Sequence, residues 1–199
     1  MFPVLWEIGN FKIYSYGFFI SLGYIAALIV TLHFGRRVGI AANICLDLIF
    51  YSLITGLVGA RILFIITTFN HFYEQPLDIL KFWQGGFVFL GGLLFTIPFI
   101  YWYAQKKRLN IYTCLDIMAP GLALGHAIGR IGCLGAGCCH GRLTDMPWAI
   151  ILHTDQVSPE LIGSRVHPTQ AYESIALLII FFFLKNSSDK KKFNGQVMC

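Results

Sequence analysis

The sequence predicts an all-α fold, a polytopic integral membrane bundle of about five transmembrane helices with a long loop outside the cytoplasm. Of the 199 residues, 56% are hydrophobic and only 13% are charged, which is too apolar for a soluble domain of this size. The apolar residues also fall into runs close to the roughly 20 residues that a helix needs to cross a bilayer. These two observations exclude an ordinary soluble enzyme.

The apolar runs follow one another without a linker that would divide the chain, so we predict a single membrane domain over residues 1–199. The first span, at 14–34, is too long and too aromatic for a cleaved signal peptide, and no basic segment precedes it. The remaining spans are predicted at 45–69, 87–103, 113–134 and 171–184. Two longer loops, 70–86 and 135–170, contain all four prolines that lie between the predicted spans.

Positive charge lies on alternate sides of the predicted spans. Nine Lys and Arg residues follow the first, third and fifth spans, whereas the other loops are mostly acidic. Because basic loops stay in the cytoplasm, we expect the N-terminus outside and the Lys-rich tail inside. The net charge of +5 is then mostly topogenic, and we expect no nucleic-acid partner. The nine residues are Arg36, Arg37, Lys106, Lys107, Arg108, Lys185, Lys190, Lys191 and Lys192.

An arginine inside the fourth predicted span indicates a polar site. His126, Arg130 and Cys133 are spaced i, i+4 and i+7, so they form one stripe on the helix. A charged side chain at membrane depth is costly and usually faces a cavity, and the planar fork of Arg suits a phosphate. The alternative for Arg130 is that it only extends toward the interface. His126 is a candidate base or, equally, a buried histidine that bonds a neighbouring helix.

Glycines on the neighbouring face of this span, Gly121, Gly125, Gly129 and Gly132, favour close helix packing.

A cysteine cluster follows the same span. Cys133, Cys138, Cys139 and His140 form the pattern C-x4-C-C-H in a loop expected outside the cytoplasm. A disulfide is permitted there, either between Cys133 and Cys138 or from one of them to Cys139. Free thiols in a packed loop are the second alternative. Metal binding is the third, with poor spacing because adjacent cysteines rarely ligate one ion. We expect neither a metal nor a cofactor.

The segment HPTQAYE (167–173) opens the last predicted span. Pro168 is well placed at a helix start, where Thr169 and Gln170 can satisfy free amides. Glu173 then lies just inside the membrane and needs a partner, for which Arg130 and Arg61 are the candidates. Arg61 itself, in the second span, is expected to form an ion pair or contact a lipid head group.

Two segments, GRIGCLGAGCCHGRLTDMPWA (129–149) and HPTQAYE (167–173), resemble the signature of the prolipoprotein diacylglyceryl transferase family. Other pieces agree in order along the chain. IYSYG places Tyr16 on the tyrosine of the first-helix motif, and GARIL places Arg61 on a family arginine. WQGGFVFLGGLL (83–94) and DIMAP (116–120) also resemble family segments. The resemblance therefore runs through nearly the whole chain.

The resemblance implies a bacterial inner-membrane enzyme that acts on phosphatidylglycerol and a preprolipoprotein. Such enzymes transfer a diacylglyceryl group to the thiol of the lipobox cysteine at the outer face of the membrane, and glycerol phosphate leaves. Arg130, Tyr16 and His126 are then the candidate catalytic residues, His126 from its position alone. The expected partners are these two substrates and membrane lipid, with the chain as a monomer. The candidate substrate-binding residues are Arg61, Gly91, Gly92, Cys133, Gly141, Arg142, His167, Gln170, Tyr172 and Glu173.

The chain also departs from the family pattern. Leu90 occupies the position of a family histidine, and Cys133 that of an asparagine. Cys138 and His140 replace a glutamate and a tryptophan. The end of the chain resembles the start of a further span, so we expect a truncation before additional helices. These departures leave two alternatives open: a related phospholipid-dependent transferase with another acceptor, or an inactive or truncated homologue with an outer-face thiol cluster.

Overall fold

The computed structural model describes residues 2–8, 11–81, 85–153, 161–189 and 195–197. Several residues on which predictions rest, including Trp83 and the basic residues of the tail at 190–192, lie outside this part of the chain. The described residues form five long helices: α1 (Ser15–Arg37), α2 (Ala42–Thr67), α4 (Phe89–Lys106), α5 (Ile111–Ala136) and α6 (Thr169–Asp189). A short helix, α3 (Phe69–Glu74), and a 3-10 turn (Pro76–Leu80) follow α2.

Two small antiparallel hairpins accompany the helices. Strand β1 (Val4–Ile8) pairs with β2 (Phe11–Tyr14), which runs directly into α1. Strand β3 (Ile150–Ile151) pairs with β4 (Arg165–Val166), just before α6.

Four helices, α1, α2, α5 and α6, are long and apolar enough to cross a membrane. This finding confirms the prediction of an all-α polytopic membrane protein. Helix α4 coincides with the predicted third span, but within the described residues it is not one of these four. Its 18 residues include Pro98 and end in Gln105 and Lys106, which lower the hydropathy of the segment.

One compact unit consists of Met1–Phe34 and Asp116–Cys199. Within it, α1 and α5 approach closely because glycines lie at their contact. A Cβ atom on Gly125 would lie 2.7 Å from the carbonyl oxygen of Gly23, and one on Gly121 would lie 2.7 Å from that of Ala27. The small residues let the two backbones meet, which confirms the packing role predicted for the glycine face.

Polar contacts fix the other elements of this unit. The Ser174 hydroxyl of α6 donates to the Ala127 carbonyl of α5 over 2.9 Å. The buried carboxylate of Asp116 accepts hydrogen bonds from the amides of Gly195 and Val197, at 2.7 and 3.1 Å. Both contacts attach later segments of the chain to α5.

The second compact unit is Gly35–Leu115. Here α2 packs on α4 through Gly59 and Gly91, because a Cβ on Gly59 would lie 2.5 Å from the Gly91 carbonyl oxygen. The amide of Val88 also donates to the Ala60 carbonyl over 3.1 Å, which fixes the start of α4 against α2. The single domain expected from the sequence stays a prediction.

Candidate functional site

Three helix ends of the first unit meet around the predicted site. The start of α1 lies against the end of α5, since a Cβ on Gly135 would lie 2.9 Å from the Ser15 hydroxyl oxygen. The start of α6 is joined to the segment after α5 by Gln170, whose amide nitrogen donates to the Cys138 carbonyl over 2.6 Å. Residues distant in sequence, from the first, fourth and fifth predicted spans, are thereby brought together.

Arg130 and Glu173 form an ion pair between the guanidinium NH2 group and carboxylate oxygen Oε2. Of the two partners expected for Glu173, the structure places Arg130 beside it. The Arg130 side chain also interacts electrostatically with Cys133. Its Nε atom is buried and has no hydrogen-bond partner among the described residues. Glu173 therefore orients Arg130, and the guanidinium donors are not all used within the described residues.

The other two candidate catalytic residues lie near this pair. His126, on the exposed side of α5, is close enough to Arg130 and Glu173 to interact with their charges. Tyr16, at the start of α1, is half exposed and interacts electrostatically with Arg130 and with the cysteine cluster. Tyr16 and His126 thus both lie within electrostatic range of Arg130.

The three cysteines converge because the chain reverses directly after α5. Gly137 takes a left-handed conformation (φ +79°), and the amides of Gly137 and Cys138 both donate to the Cys133 carbonyl, at 2.9 and 3.2 Å. This is a common way to end a helix. Cys139 is also left-handed (φ +60°), which is unusual for a residue with a side chain.

The two left-handed residues bring the sulfur atoms of Cys133, Cys138 and Cys139 within 4.8 Å of one another. All three are free thiols in the structure. A hydrogen bond with the Cys133 sulfur and, next, burial raise the pKa of the Cys138 thiol above its usual value. Sequence spacing alone disfavoured a common site for adjacent cysteines; the positive φ of Cys139 is what makes it possible.

The first residues of α6 hold this cysteine loop in place. Gln170 is fully buried and bonds the Cys138 carbonyl, as described above, while the Thr169 hydroxyl donates to the Cys139 carbonyl over 2.8 Å. Both side chains lie in the first turn of α6 and donate hydrogen bonds to backbone oxygens of the loop. The side-chain amide oxygen of Gln170, Oε1, is buried and makes no hydrogen bond within the described part of the chain.

The remaining motif residues form a second network in the same unit. The Trp148 indole nitrogen donates to the Tyr172 hydroxyl over 2.6 Å, and that hydroxyl lies 3.2 Å from Nδ1 of His167. The backbones of Gly141 and His167 pair through the Gly141 amide, at 2.9 Å, and the His167 amide donates to the Arg142 carbonyl at 3.0 Å. The contact between Trp148 and Tyr172 was missed from the sequence, because no spacing rule links residues 24 positions apart.

Arg61 lies in the second unit, where backbone oxygens surround it. Only 4% of Arg61 is exposed, and its guanidinium donates to the carbonyls of Gly85 (2.5 Å), Gly86 (3.2 Å) and Asp78 (2.7 Å). Its charge also lies 5.6 Å from the centre of the Phe64 ring. The positive φ of Gly85 and Gly86 turns the loop before α4 around this side chain. These contacts give Arg61 a structural role beyond the two expected from the sequence.

Gly91 and Gly92 also have a packing role in this unit. Gly91 meets Gly59 directly, and a Cβ on Gly92 would lie 3.2 Å from the Gly56 carbonyl oxygen. Leu90, in the first turn of α4, is 57% exposed, so an apolar side chain stands where the family pattern has histidine. The substrate-binding roles of Arg61, Gly91 and Gly92 stay predictions.

Comparison with known proteins identifies the family. The prolipoprotein diacylglyceryl transferase family matches residues 3–199. A protein of Clostridium tetani named phosphatidylglycerol–prolipoprotein diacylglyceryl transferase is 34% identical over 197 residues, which cover 99% of this chain and 78% of the relative. A protein of Clostridium perfringens named phosphatidylglycerol–prolipoprotein diacylglyceryl transferase 2 is 36% identical over 195 residues, which cover 98% of this chain and 75% of the relative.

A third relative with the same name, from Finegoldia magna, is 33% identical over 98% of this chain and 75% of its own length. The matches extend across α1, α5, the cysteine loop and α6, which together carry Arg130 and the residues around it. The chain therefore belongs to the prolipoprotein diacylglyceryl transferase family.

Proposed function

We propose that this chain transfers a diacylglyceryl group from phosphatidylglycerol to the lipobox cysteine thiol of preprolipoproteins. Family membership over residues 3–199 supports the reaction class, and the names of the relatives supply the two substrates. The observation that carries the proposal within the molecule is Arg130, a cation at membrane depth that Glu173 orients and that retains a buried donor.

The reaction joins a sulfur atom to a glyceryl carbon. The thiol sulfur attacks the carbon that bears the phosphate ester, a C–S bond forms, and the C–O bond breaks. Glycerol phosphate leaves with the electron pair of that bond, so negative charge grows on the phosphate. An oriented guanidinium stabilises this charge best where water is scarce. Arg130 is the residue that we expect to do so, through its planar fork of donors.

The acceptor thiol must lose its proton before it becomes a good nucleophile. Leu90 cannot accept that proton. His126 lies near Arg130 on the same helix and is our candidate for the base. Tyr16 is half exposed and interacts electrostatically with Arg130, so we expect its hydroxyl to donate to the lipid head group.

The loop and helix start after α5 are proposed to bind the substrates. Gly141, Arg142, His167 and Tyr172 share one hydrogen-bonded network, and the exposed Arg142 adds a second cation for an acidic head group. Cys133, Gln170 and Glu173 line the other side of the loop through their contacts with Cys138 and Arg130.

The alternation of basic loops supports a particular membrane arrangement. We place the chain in the bacterial inner membrane as a monomer, with the N-terminus outside and the basic tail in the cytoplasm. In this orientation the start of α1, the end of α5 and the start of α6, which form the site, face outward, where exported lipoproteins arrive.

A transfer assay with purified protein tests the proposal. Phosphatidylglycerol vesicles and a lipobox peptide are mixed with the protein, and mass spectrometry measures the diacylglyceryl thioether peptide together with released glycerol phosphate. A peptide with serine in place of the lipobox cysteine is the matched control, because it retains every contact except the nucleophile.

We expect thioether product with the cysteine peptide only. Glycerol phosphate released without a thioether peptide would indicate a different acceptor. No release from folded, membrane-inserted protein would contradict the proposal and favour an inactive homologue.

A further inference from the structure

The cysteine loop has the features of a built metal site. The sulfurs of Cys133, Cys138 and Cys139 lie within 4.8 Å of one another. Side chains of α6 hold the two loop cysteines, since Gln170 bonds the Cys138 carbonyl and Thr169 bonds the Cys139 carbonyl, at 2.6 and 2.8 Å. Such outer contacts orient ligands in known metal sites. The three thiols are therefore positioned by the fold rather than gathered by chance on a surface.

The geometry fits a thiophilic ion. Sulfur ligands select zinc, copper(I) or iron–sulfur clusters over harder ions. Three sulfurs bound tetrahedrally to zinc at about 2.3 Å are about 3.8 Å apart, so side-chain rotations of roughly 1 Å complete the site. Structural zinc sites usually have four protein ligands, whereas three ligands and one open position are typical of catalytic zinc.

Accessibility increases across the cluster, because Cys133 is buried, Cys138 is partly buried and Cys139 is exposed. A fourth ligand can therefore approach from the side of Cys139. Arg130 interacts electrostatically with Cys133, the buried member of the cluster, and its positive charge offsets the negative charge of the thiolates. An ion here would lie next to the group that we expect to hold the leaving phosphate.

We propose that Cys133, Cys138 and Cys139 bind a zinc ion whose open position takes the sulfur of the lipobox cysteine. This inference rests on the proposed function, and it reverses the expectation from the sequence that no metal binds. It adds to that function the means of activating the acceptor, for which the chain lacks the family histidine at Leu90.

The chemistry of a zinc-bound thiol suits this reaction. A thiol that coordinates zinc is deprotonated outright, and its proton passes to solvent or to a nearby base such as His126. The bound sulfur then attacks the glyceryl carbon, the C–S bond forms, and glycerol phosphate leaves with the electrons of the C–O bond. The thioether product carries no charge and is a weaker ligand, so it dissociates and leaves the position open.

Metal content is measured first, on full-length protein purified in detergent without metal-affinity chromatography. We expect about one zinc ion per chain, the stoichiometry of a single three-cysteine site. In Cys139→Ser the zinc affinity is expected to fall more than about tenfold, because even the loss of an outer partner costs that much, so most of the zinc should be lost during purification. Cys45→Ser, at a cysteine of the other unit, is the matched control and retains its zinc. Circular dichroism verifies that each variant is folded.

Cobalt(II) exchange then reports on the open position without any need for turnover. Tetrahedral cobalt–thiolate sites absorb strongly, and a fourth sulfur changes their visible spectrum. We expect the spectrum to change on addition of a lipobox peptide and to stay the same with the serine peptide.

The outcomes separate this inference from the proposed function. Metal bound with a spectral response to the peptide supports the site, even if the transfer assay is silent and the proposed function fails. Active protein that retains no metal, or whose thiol count shows a disulfide among the three cysteines, overturns the inference and leaves the function intact. Copper(I) in place of zinc, or a bound metal that ignores the peptide, also overturns it.

Discussion

Arg130 in α5 forms an ion pair with Glu173 in α6, and this pair joins the two helices at the level of the cysteine cluster. The side chains are 21% and 44% exposed, so the pair is partly shielded from solvent. We therefore expect its contribution to the free energy of unfolding to lie between those of exposed and buried ion pairs. The ion pair also fixes the orientation of the guanidinium, as a phosphate-binding group requires.

Exchanging the two charges separates these roles. Glu173→Gln is expected to lower the free energy of unfolding by about 1–2 kcal/mol, because Arg130 loses its partner. The double variant Arg130→Glu with Glu173→Arg should recover most of this loss while transfer stays abolished, since the cation has moved to the other helix. Thermal unfolding in detergent and the transfer assay measure the two effects. Recovery of transfer in the double variant would show that the position of the cation does not matter.

The glycine contact between α1 and α5 determines where Tyr16 stands relative to Arg130. Gly125→Val is expected to destabilise the protein by about 1–3 kcal/mol, because the added atoms meet the Gly23 carbonyl and force the helices apart. Transfer should fall as well. Gly17→Ala is the control: its Cβ meets nothing within 4 Å, so stability should hold or rise. An undiminished unfolding temperature in Gly125→Val would refute the close contact.

Arg61 is expected to hold the loop before α4 rather than bind substrate alone. Arg61→Lys retains the charge but loses the fork that reaches the carbonyls of Asp78 and Gly85 together. Limited trypsin digestion should therefore cut this loop, at Lys81, several times faster than in the parent protein. Arg36→Lys, at the exposed end of α1, is the matched control and should not change the rate. Equal cleavage in Arg61→Lys and the parent would argue against the structural role.

The Tyr172 hydroxyl links Trp148 to His167. In Tyr172→Phe the Trp148 indole loses its hydrogen-bond acceptor, so the loop that carries Trp148 is expected to loosen. The lost hydrogen bond is worth about 1 kcal/mol, so the KM for the lipobox peptide should rise several-fold. We expect kcat to change less, because the hydroxyl lies away from the reacting atoms in our account. Tyr112→Phe, at an exposed residue of the other unit, provides the comparison. A fall in kcat with an unchanged KM would instead place Tyr172 in the chemical step.

Much of the helical architecture could be predicted because apolar length and composition determine membrane spans. The boundaries of α1 and α5 differ from the predicted spans by only a few residues, because each helix is little longer than its apolar run. The two hairpins were not predicted. Strands β3 and β4 have two residues each, too few for an alternating pattern to be visible in the sequence.

The site was only partly predictable. The stripe with His126, Arg130 and Cys133 follows from helical spacing, and a membrane carboxylate at Glu173 requires a cation. Which arginine pairs with Glu173 depends on how helices pack, and spacing within one helix does not contain that information. The convergence of three sulfurs depends on the left-handed backbone of Cys139, which residue type does not favour.

The role of Arg130 is best measured by the rate of glycerol phosphate release in Arg130→Lys, with phosphatidylglycerol and a lipobox peptide. Lysine preserves the charge but removes the planar fork, so we expect the rate to fall about 100-fold or more relative to the parent protein, as for other lost donors to a developing anion. The variant should still bind lipid vesicles and remain folded. A rate equal to that of the parent protein would contradict the assignment of the leaving phosphate to Arg130.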